Sequence, residues 1–165
     1  MSLSRRDEWI RRAFLLAFVF LCLATASCAL PRIVVLHDPL TPEEHINLGL
    51  AYEKKGETEQ AVGEYKKAAK DLPVAYLYLG NIYYGKAEYA RAEEYYRQAI
   101  RKDSGLADAY NNLSWLMYTC GGSLEEAETL ARKATELVPS NEIYQDTLAK
   151  VEEKRKREAL PASRQ

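Results

Sequence analysis

The chain has 165 residues, 28% of them charged, with a formal net charge of −1. That composition belongs to a folded globular chain, and it supplies no basic field for nucleic acid. All 12 tyrosines lie beyond residue 51, so the aromatic content sits in one part of the chain.

The first 30 residues have a character of their own. Arg5, Arg6, Arg11 and Arg12 precede an apolar run from Ala13 to Ala26, and Ala26-Ser27-Cys28 follows it. A basic start, an apolar centre of this length and a small-residue exit make a secretory signal. Ala26-Ser27-Cys28 also resembles the lipobox of bacterial lipoproteins, with Thr25 where a large aliphatic residue is usual. The resemblance implies cleavage before Cys28 and lipidation of Cys28. Ala29, which is not Asp, implies the outer membrane, at its periplasmic face. The alternative is an uncleaved anchor, since Ala13 to Leu30 is at the short end of a membrane span. Either way the arginines stay in the cytoplasm and the rest is exported. Arg11-Arg12-Ala13-Phe14-Leu15 resembles a twin-arginine export motif, but no Lys follows it.

Three cysteines are present. Cys22 leaves with the signal and Cys28 takes lipid, so Cys120 remains without an internal disulfide partner. No zinc-ligand spacing occurs, and no cofactor is expected.

Residues 29–40 form a tether with Pro31 and Pro39, whose Ile33-Val34-Val35-Leu36 could lie back on the first helix pair. Helical signals then follow one another. Thr41-Pro42-Glu43-Glu44 is a capping box that opens a helix to about Lys55, stopped at Gly56. A second helix is predicted from about Glu59 to Lys70. A third runs from Pro73 to about Tyr84, broken by Gly85, and a fourth from about Glu88 to Lys102. The fifth covers about Ala107 to Thr119 and ends at Gly121-Gly122. Ser123-Leu124-Glu125-Glu126 reads as a second capping box before a sixth helix to Leu137, and a seventh spans about Asn141 to Arg157. No segment alternates as a strand does. The fold class is all-α.

An internal repeat underlies these helices. Leu48, Gly49, Tyr52, Ala61, Tyr65, Ala68 and Pro73 return in the same order as Leu79, Gly80, Tyr83, Ala92, Tyr96 and Ala99. A third copy reads Leu113, Ser114, Met117, Ala127, Ala131, Ala134, Pro139. Self-similarity at this period means stacked helical hairpins, because one hairpin cannot bury its apolar face alone. The pattern resembles the tetratricopeptide repeat, with His45 where that family often has Trp. The resemblance implies a right-handed superhelical solenoid of three hairpins and a C-terminal capping helix. The domain plan is a signal at 1–27, a lipidated cysteine and tether at 28–40, and a repeat domain at 41–159. Its repeats lie at about 42–72, 73–106 and 107–140, with a capping helix at 141–158 and a tail at 160–165. Gly49 to Gly80 is three residues shorter than Gly80 to Ser114, and the loss is placed between Pro73 and Tyr76.

The glycines and alanines are expected to let paired helices touch, and Tyr65 and Tyr96 to bridge to the next repeat. Tyr52 and Tyr83 are assigned to the core as well. The resemblance implies that the first helix of each hairpin lines a concave groove, which carries Asn47, Leu50, Leu77, Tyr78, Asn81, Tyr84, Asn111, Asn112, Trp115 and Tyr118. Amide side chains there suit an extended peptide backbone, and aromatics give contact area at low entropic cost. Leu77 and Asp108 stand where a carboxylate-binding groove would carry cations, so a C-terminal carboxylate ligand is not expected. The competing outcome is that the last helix or a second copy covers these aromatics.

The expected function is a membrane-tethered scaffold that binds a protein or peptide partner. By family analogy it would assist assembly of an envelope, pilus, secretion or polysaccharide-export machine. The alternative is a homo-oligomer that fills its own groove. No general-base histidine with partners, nucleophile elbow or metal cluster points to an enzyme. His45 sits at a packing position. The basic cluster in Glu152-Glu153-Lys154-Arg155-Lys156-Arg157 reads as a solvated cap with intrahelical pairs.

Overall fold

The computed structural model describes residues 38–159, together with Trp9, Arg12 and Leu15. The rest of the signal, Cys28, most of the tether and the 160–165 tail therefore lie outside the described residues. The described residues from Pro39 onward form one compact unit.

Seven helices follow one another, with no strand among the described residues: α1 Pro42–Lys55, α2 Thr58–Ala68, α3 Val74–Gly85, α4 Tyr89–Lys102, α5 Ala107–Cys120, α6 Leu124–Leu137 and α7 Glu142–Ala159. Helices pair as α1 with α2, α3 with α4 and α5 with α6, and each pair packs on the next; α7 rests on α6 and α5.

Local chemistry sets the ends. Thr41 Oγ1 accepts from the Glu44 backbone N–H at 3.2 Å, and Thr41 N–H donates to Glu44 Oε2 at 2.7 Å. Acids then sit in the first turn of α1 and lysines in its last, matching the helix dipole. Ser123 caps α6 by accepting from the Glu126 N–H at 3.2 Å. The box is not reciprocal there, because the Glu126 carboxylate faces Arg97 at 2.8 Å instead.

The first helix of every hairpin ends on a left-handed residue at the same repeat position. Gly56 has φ 76°, Gly121 has φ 80°, and Ala87 has φ 58°. The break after α3 thus falls at Ala87, not at Gly85, which remains the last helical residue. The short joint between repeats also has a different origin from the one predicted. Residues after Pro73 are not missing; α2 has 11 residues where α4 has 14, so α2 stops nearly one turn early.

The core explains the repeat signature. A Cβ on Gly49 would lie 2.7 Å from Tyr65 Cδ1, and one on Gly80 would lie 2.5 Å from Tyr96 Cδ1. The glycines therefore make room for a tyrosine ring of the partner helix, not for an alanine. Tyr65 and Tyr96 are both sealed from solvent. Tyr65 bridges to the next repeat by stacking on Tyr78 at 5.1 Å. In the third hairpin Ser114 replaces the glycine and Ala131 the tyrosine. Ser114 Oγ donates to the Ala127 carbonyl at 2.7 Å, so the seryl side chain uses space that no ring occupies. Tyr83 is buried, whereas Tyr52 is only half-buried at the edge of the first repeat. His45 is buried and faces Glu64, with Nδ1 2.5 Å from Oε2, which ties α1 to α2.

The charges of α7 bind across helices more than along it. Arg132 reaches Glu128 and Glu152, each at 2.8 Å, and Arg155 Nε lies 2.6 Å from Glu128 Oε2. Within the 152–157 cluster only Glu153 and Arg157 pair along the helix, at 3.8 Å. An electrostatic lattice beside buried Val151 thus fastens the cap to α6.

Candidate functional site

The helices α3 and α5 face each other across a cleft. Apart from Asp108, neither carries an acidic or basic side chain. The cleft has a volume of about 270 Å³ and is lined by Asn81, Tyr84, Tyr96, Asn112 and Trp115. Four of these five come from the predicted groove.

Its polar centre is a connected network. Asn112 Nδ2 donates to Asn81 Oδ1 at 2.9 Å, across the joint between the second and third hairpins. Tyr96 O–H donates to the same oxygen at 3.0 Å. Asn111 Nδ2 donates to Asn112 Oδ1 at 3.3 Å. Two donors converge on Asn81 Oδ1, and neither bond uses the Asn81 amide N–H groups or the second N–H of Asn112. The cleft is therefore a donor surface, suited to carbonyl oxygens. Burial, and then the neighbouring Tyr84, raises the Tyr96 phenol above its ordinary range, so it stays protonated and can donate.

Other predicted groove residues are placed differently. Leu77 is buried in the core shared with α5, and Asn111 is buried beside Asn112, so neither presents its side chain to a ligand. Tyr78 is half-buried and held by its stack on Tyr65. Asn47 is exposed and Leu50 half-buried on α1. Tyr84 makes a tilted contact with Tyr89 at 5.7 Å, and Trp115 one with Tyr118 at 5.3 Å.

The last helix contributes to this wall. Lys150 Nζ sits 5.4 Å from the Trp115 ring centre and Lys154 Nζ 5.0 Å from that of Tyr118. Lys154 also donates to the Tyr118 carbonyl at 2.9 Å, and Lys150 to Asp146 Oδ2 at 2.6 Å. The competing outcome, covering by the last helix, is met only in part: two lysines lie over two rings, while Tyr84 and Trp115 still line the cleft.

Sequence reasoning missed Tyr96 and the two lysines. Tyr96 occupies a repeat position that reads as core, and nothing in the sequence reveals that its hydroxyl reaches the cleft. The lysines had a signal: their spacing of four places them on one face of α7. Asp108 is no free anion, because Tyr144 O–H donates to its Oδ1 at 2.5 Å. Among the described residues no group of three or more His, Cys, Asp or Glu could hold a metal ion, and no helix is long and apolar enough to cross a membrane.

Stacked helical hairpins whose signature positions recur in order define a helical-repeat protein. The chain belongs to the tetratricopeptide repeat family, whose model matches residues 46–107 and 77–142. Among solved structures it is similar to the first TPR of Spaghetti (RPAP3) bound to an HSP90 peptide, SRMEEVD. That match has 23% identity and a TM-score of 0.64, covering 73% of this chain and 97% of that one. It is also similar to the second TPR domain of human RPAP3 in complex with an HSP70 peptide, at 22% identity and TM-score 0.59, over 68% and 98% of the two chains. The first TPR domain of human RPAP3 matches at 22% identity and TM-score 0.63, over 72% and 97%. No curated protein sequence matches.

Proposed function

We propose that this protein holds an extended segment of a partner protein across the face formed by α1, α3 and α5. The observation that carries the reading is the Asn112–Asn81 bond, which leaves amide donors unused in a cleft walled by Tyr84 and Trp115. Donors fixed by the fold suit the carbonyls of a peptide backbone. Aromatic walls suit an apolar side chain, since they offer area at low entropic cost. The absence of cations at Leu77 and Asp108 argues against a free C-terminal carboxylate as the anchor.

The finer setting rests on sequence alone. The basic start, apolar run and Ala26-Ser27-Cys28 support an exported scaffold anchored by lipid on Cys28 at the periplasmic face of the outer membrane. Assembly of an envelope, pilus, secretion or polysaccharide-export machine is the role that location suggests.

The test is a paired purification of the full chain from gently solubilised membranes, wild type beside an Asn81→Ala, Asn112→Ala, Trp115→Ala variant. A partner held by the wild type and lost by the variant, with unchanged helical circular dichroism, supports the reading. Identical partners on both proteins would move binding to another face.

A further inference from the structure

The amide donors say how a ligand backbone is held, not which side chains accompany it. We infer that the bound segment is internal to its protein, with an apolar residue in the Tyr84–Trp115 cleft and an acidic residue within about three positions of it. This deepens the proposed function and rests on that reading.

Charge placement carries the argument. Along α3 and α5 the only acidic or basic side chain is Asp108, which Tyr144 engages. The cations against the aromatic wall are Lys150 and Lys154, delivered by α7. Trp115 belongs both to the cleft and to the Lys150 contact, so the apolar seat and the cation share a wall. Tyr118 continues the wall 5.3 Å further, under Lys154. An extended chain advances about 3.3 Å per residue. A side chain seated beside Trp115, under Lys150, therefore places its second neighbour, on the same side of the chain, beside Tyr118 and Lys154.

Each ammonium keeps donors to give. Lys154 spends one on the Tyr118 carbonyl, and Lys150 one on Asp146. An ammonium held over a ring face is positioned before any ligand arrives, which lowers the ordering cost of meeting a carboxylate. Arg157 borders the same edge of Tyr118, with Glu158 beside it. Ligand carboxylates from side chains, not from a chain end, fit this place, because Lys150 and Lys154 stand on the cap and not beside the amide pair.

The probe is an array of N-acetylated, C-amidated dodecapeptides. Each pairs one Leu, Phe or Pro with Glu, Gln or Lys at one to four positions on either side. The full chain in mild detergent is applied as wild type, Asn81→Ala/Asn112→Ala, and Lys150→Gln/Lys154→Gln. The inference expects the Glu peptides to outbind their Gln twins by about fivefold at low salt, with the gap closing as salt rises. In the lysine variant the twins become equal while the Gln peptides bind as before. Asparagine-dependent binding without a Glu preference overturns the inference and leaves the proposed function standing. A parallel set of the same peptides carries a free C-terminal carboxylate in place of the amide, and binding by that set alone overturns the inference as well. No asparagine-dependent binding, or a protein whose cleft is closed by a second copy in light scattering, overturns both.

Discussion

Gly80 lies under the ring of Tyr96 so closely that a Cβ would fall 2.5 Å from Tyr96 Cδ1. The ring has no retreat, because only 2% of its surface is exposed and its hydroxyl is bound to Asn81. Gly80→Ala gains about 1 kcal/mol in helix propensity and loses about 1–3 kcal/mol or more to overpacking. The expected result is a net destabilisation, seen as a lower thermal midpoint. The same substitution at Ser114, where Ala131 stands in for the ring, removes only the hydrogen bond to Ala127. Ser114→Ala is expected to cost about 1 kcal/mol. Equal losses at the two sites would show that the ring is not what the glycine accommodates.

Ala87 and Gly85 are each suited to the other's place. Ala87 holds φ 58°, a left-handed conformation that costs an L-residue about 1–2 kcal/mol. Gly85 is helical, and a Cβ there meets nothing within 4 Å. Ala87→Gly and Gly85→Ala are each expected to stabilise the fold by about 0.5–1 kcal/mol. Denaturant melts of the two single variants and the double variant test this, and a loss at either site would refute the turn geometry.

The Tyr144–Asp108 bond makes a pH-dependent contribution. Burial, and then the Asp108 carboxylate, pushes the Tyr144 phenol up to about 12 from its ordinary 10. The folded form holds the proton more tightly than the unfolded chain. The stabilisation is therefore fully present below pH 10 and disappears as pH rises towards 12. Tyr144→Phe is expected to lower the thermal midpoint at pH 8 and to flatten its fall between pH 10 and 12. A variant whose midpoint falls as steeply as wild type in that window would assign the alkaline transition elsewhere. Tyr65, Tyr95 and Tyr96, all raised first by burial, are the other candidates.

Glu128 joins Arg132 and Arg155 at the seam between α6 and α7. Glu128→Gln removes the carboxylate that both guanidinium groups share and leaves Arg132 with Glu152 alone. Hydrogen exchange is expected to quicken in α7 by about tenfold while α1 to α4 stay unchanged. A uniform change along the chain would mean that the cap melts only with the whole array.

Lipidation is tested in the cell. Palmitate labelling is expected in the wild type and its loss in Cys28→Ser. Labelling of both, or of neither while the protein stays in membranes, would favour an uncleaved anchor.

Periodicity made the seven helices and their pairing readable, because apolar and small residues recur where one helix touches another. Caps written in side chains, such as Thr41, were readable too. The turn at Ala87 was not, since its conformation is imposed by tertiary packing on a residue that does not prefer it. Nor was the early end of α2, which no single residue announces. At the site, Asn81, Tyr84, Asn112 and Trp115 followed from repeat position. Leu77 and Asn111 did not stay in the open, because contact with the neighbouring hairpin decides which side of a helix is covered. The cross-helix pairs of Arg132 and Arg155 depend on how α7 lies on α6, and no spacing along one helix encodes that.

The middle helix has a consequence for how the chain is handled. Across its 12 residues α3 has no side chain charged at neutral pH, and Ala75, Leu77, Leu79, Gly80, Ile82 and Tyr83 are all buried. Beyond its own partner α4, it shares one core with the hairpin before it through Ala75, Leu79 and Ile82, and another with the hairpin after it through Leu77 and Tyr83. A nascent or translocating chain that has emerged only as far as Gly85 would carry this segment bare, a sticky stretch with nothing to keep it in solution. The array is thus hard to divide: fragments cut on either side of α3 should precipitate or recruit chaperones, and the shortest soluble piece should include the hairpins on both sides.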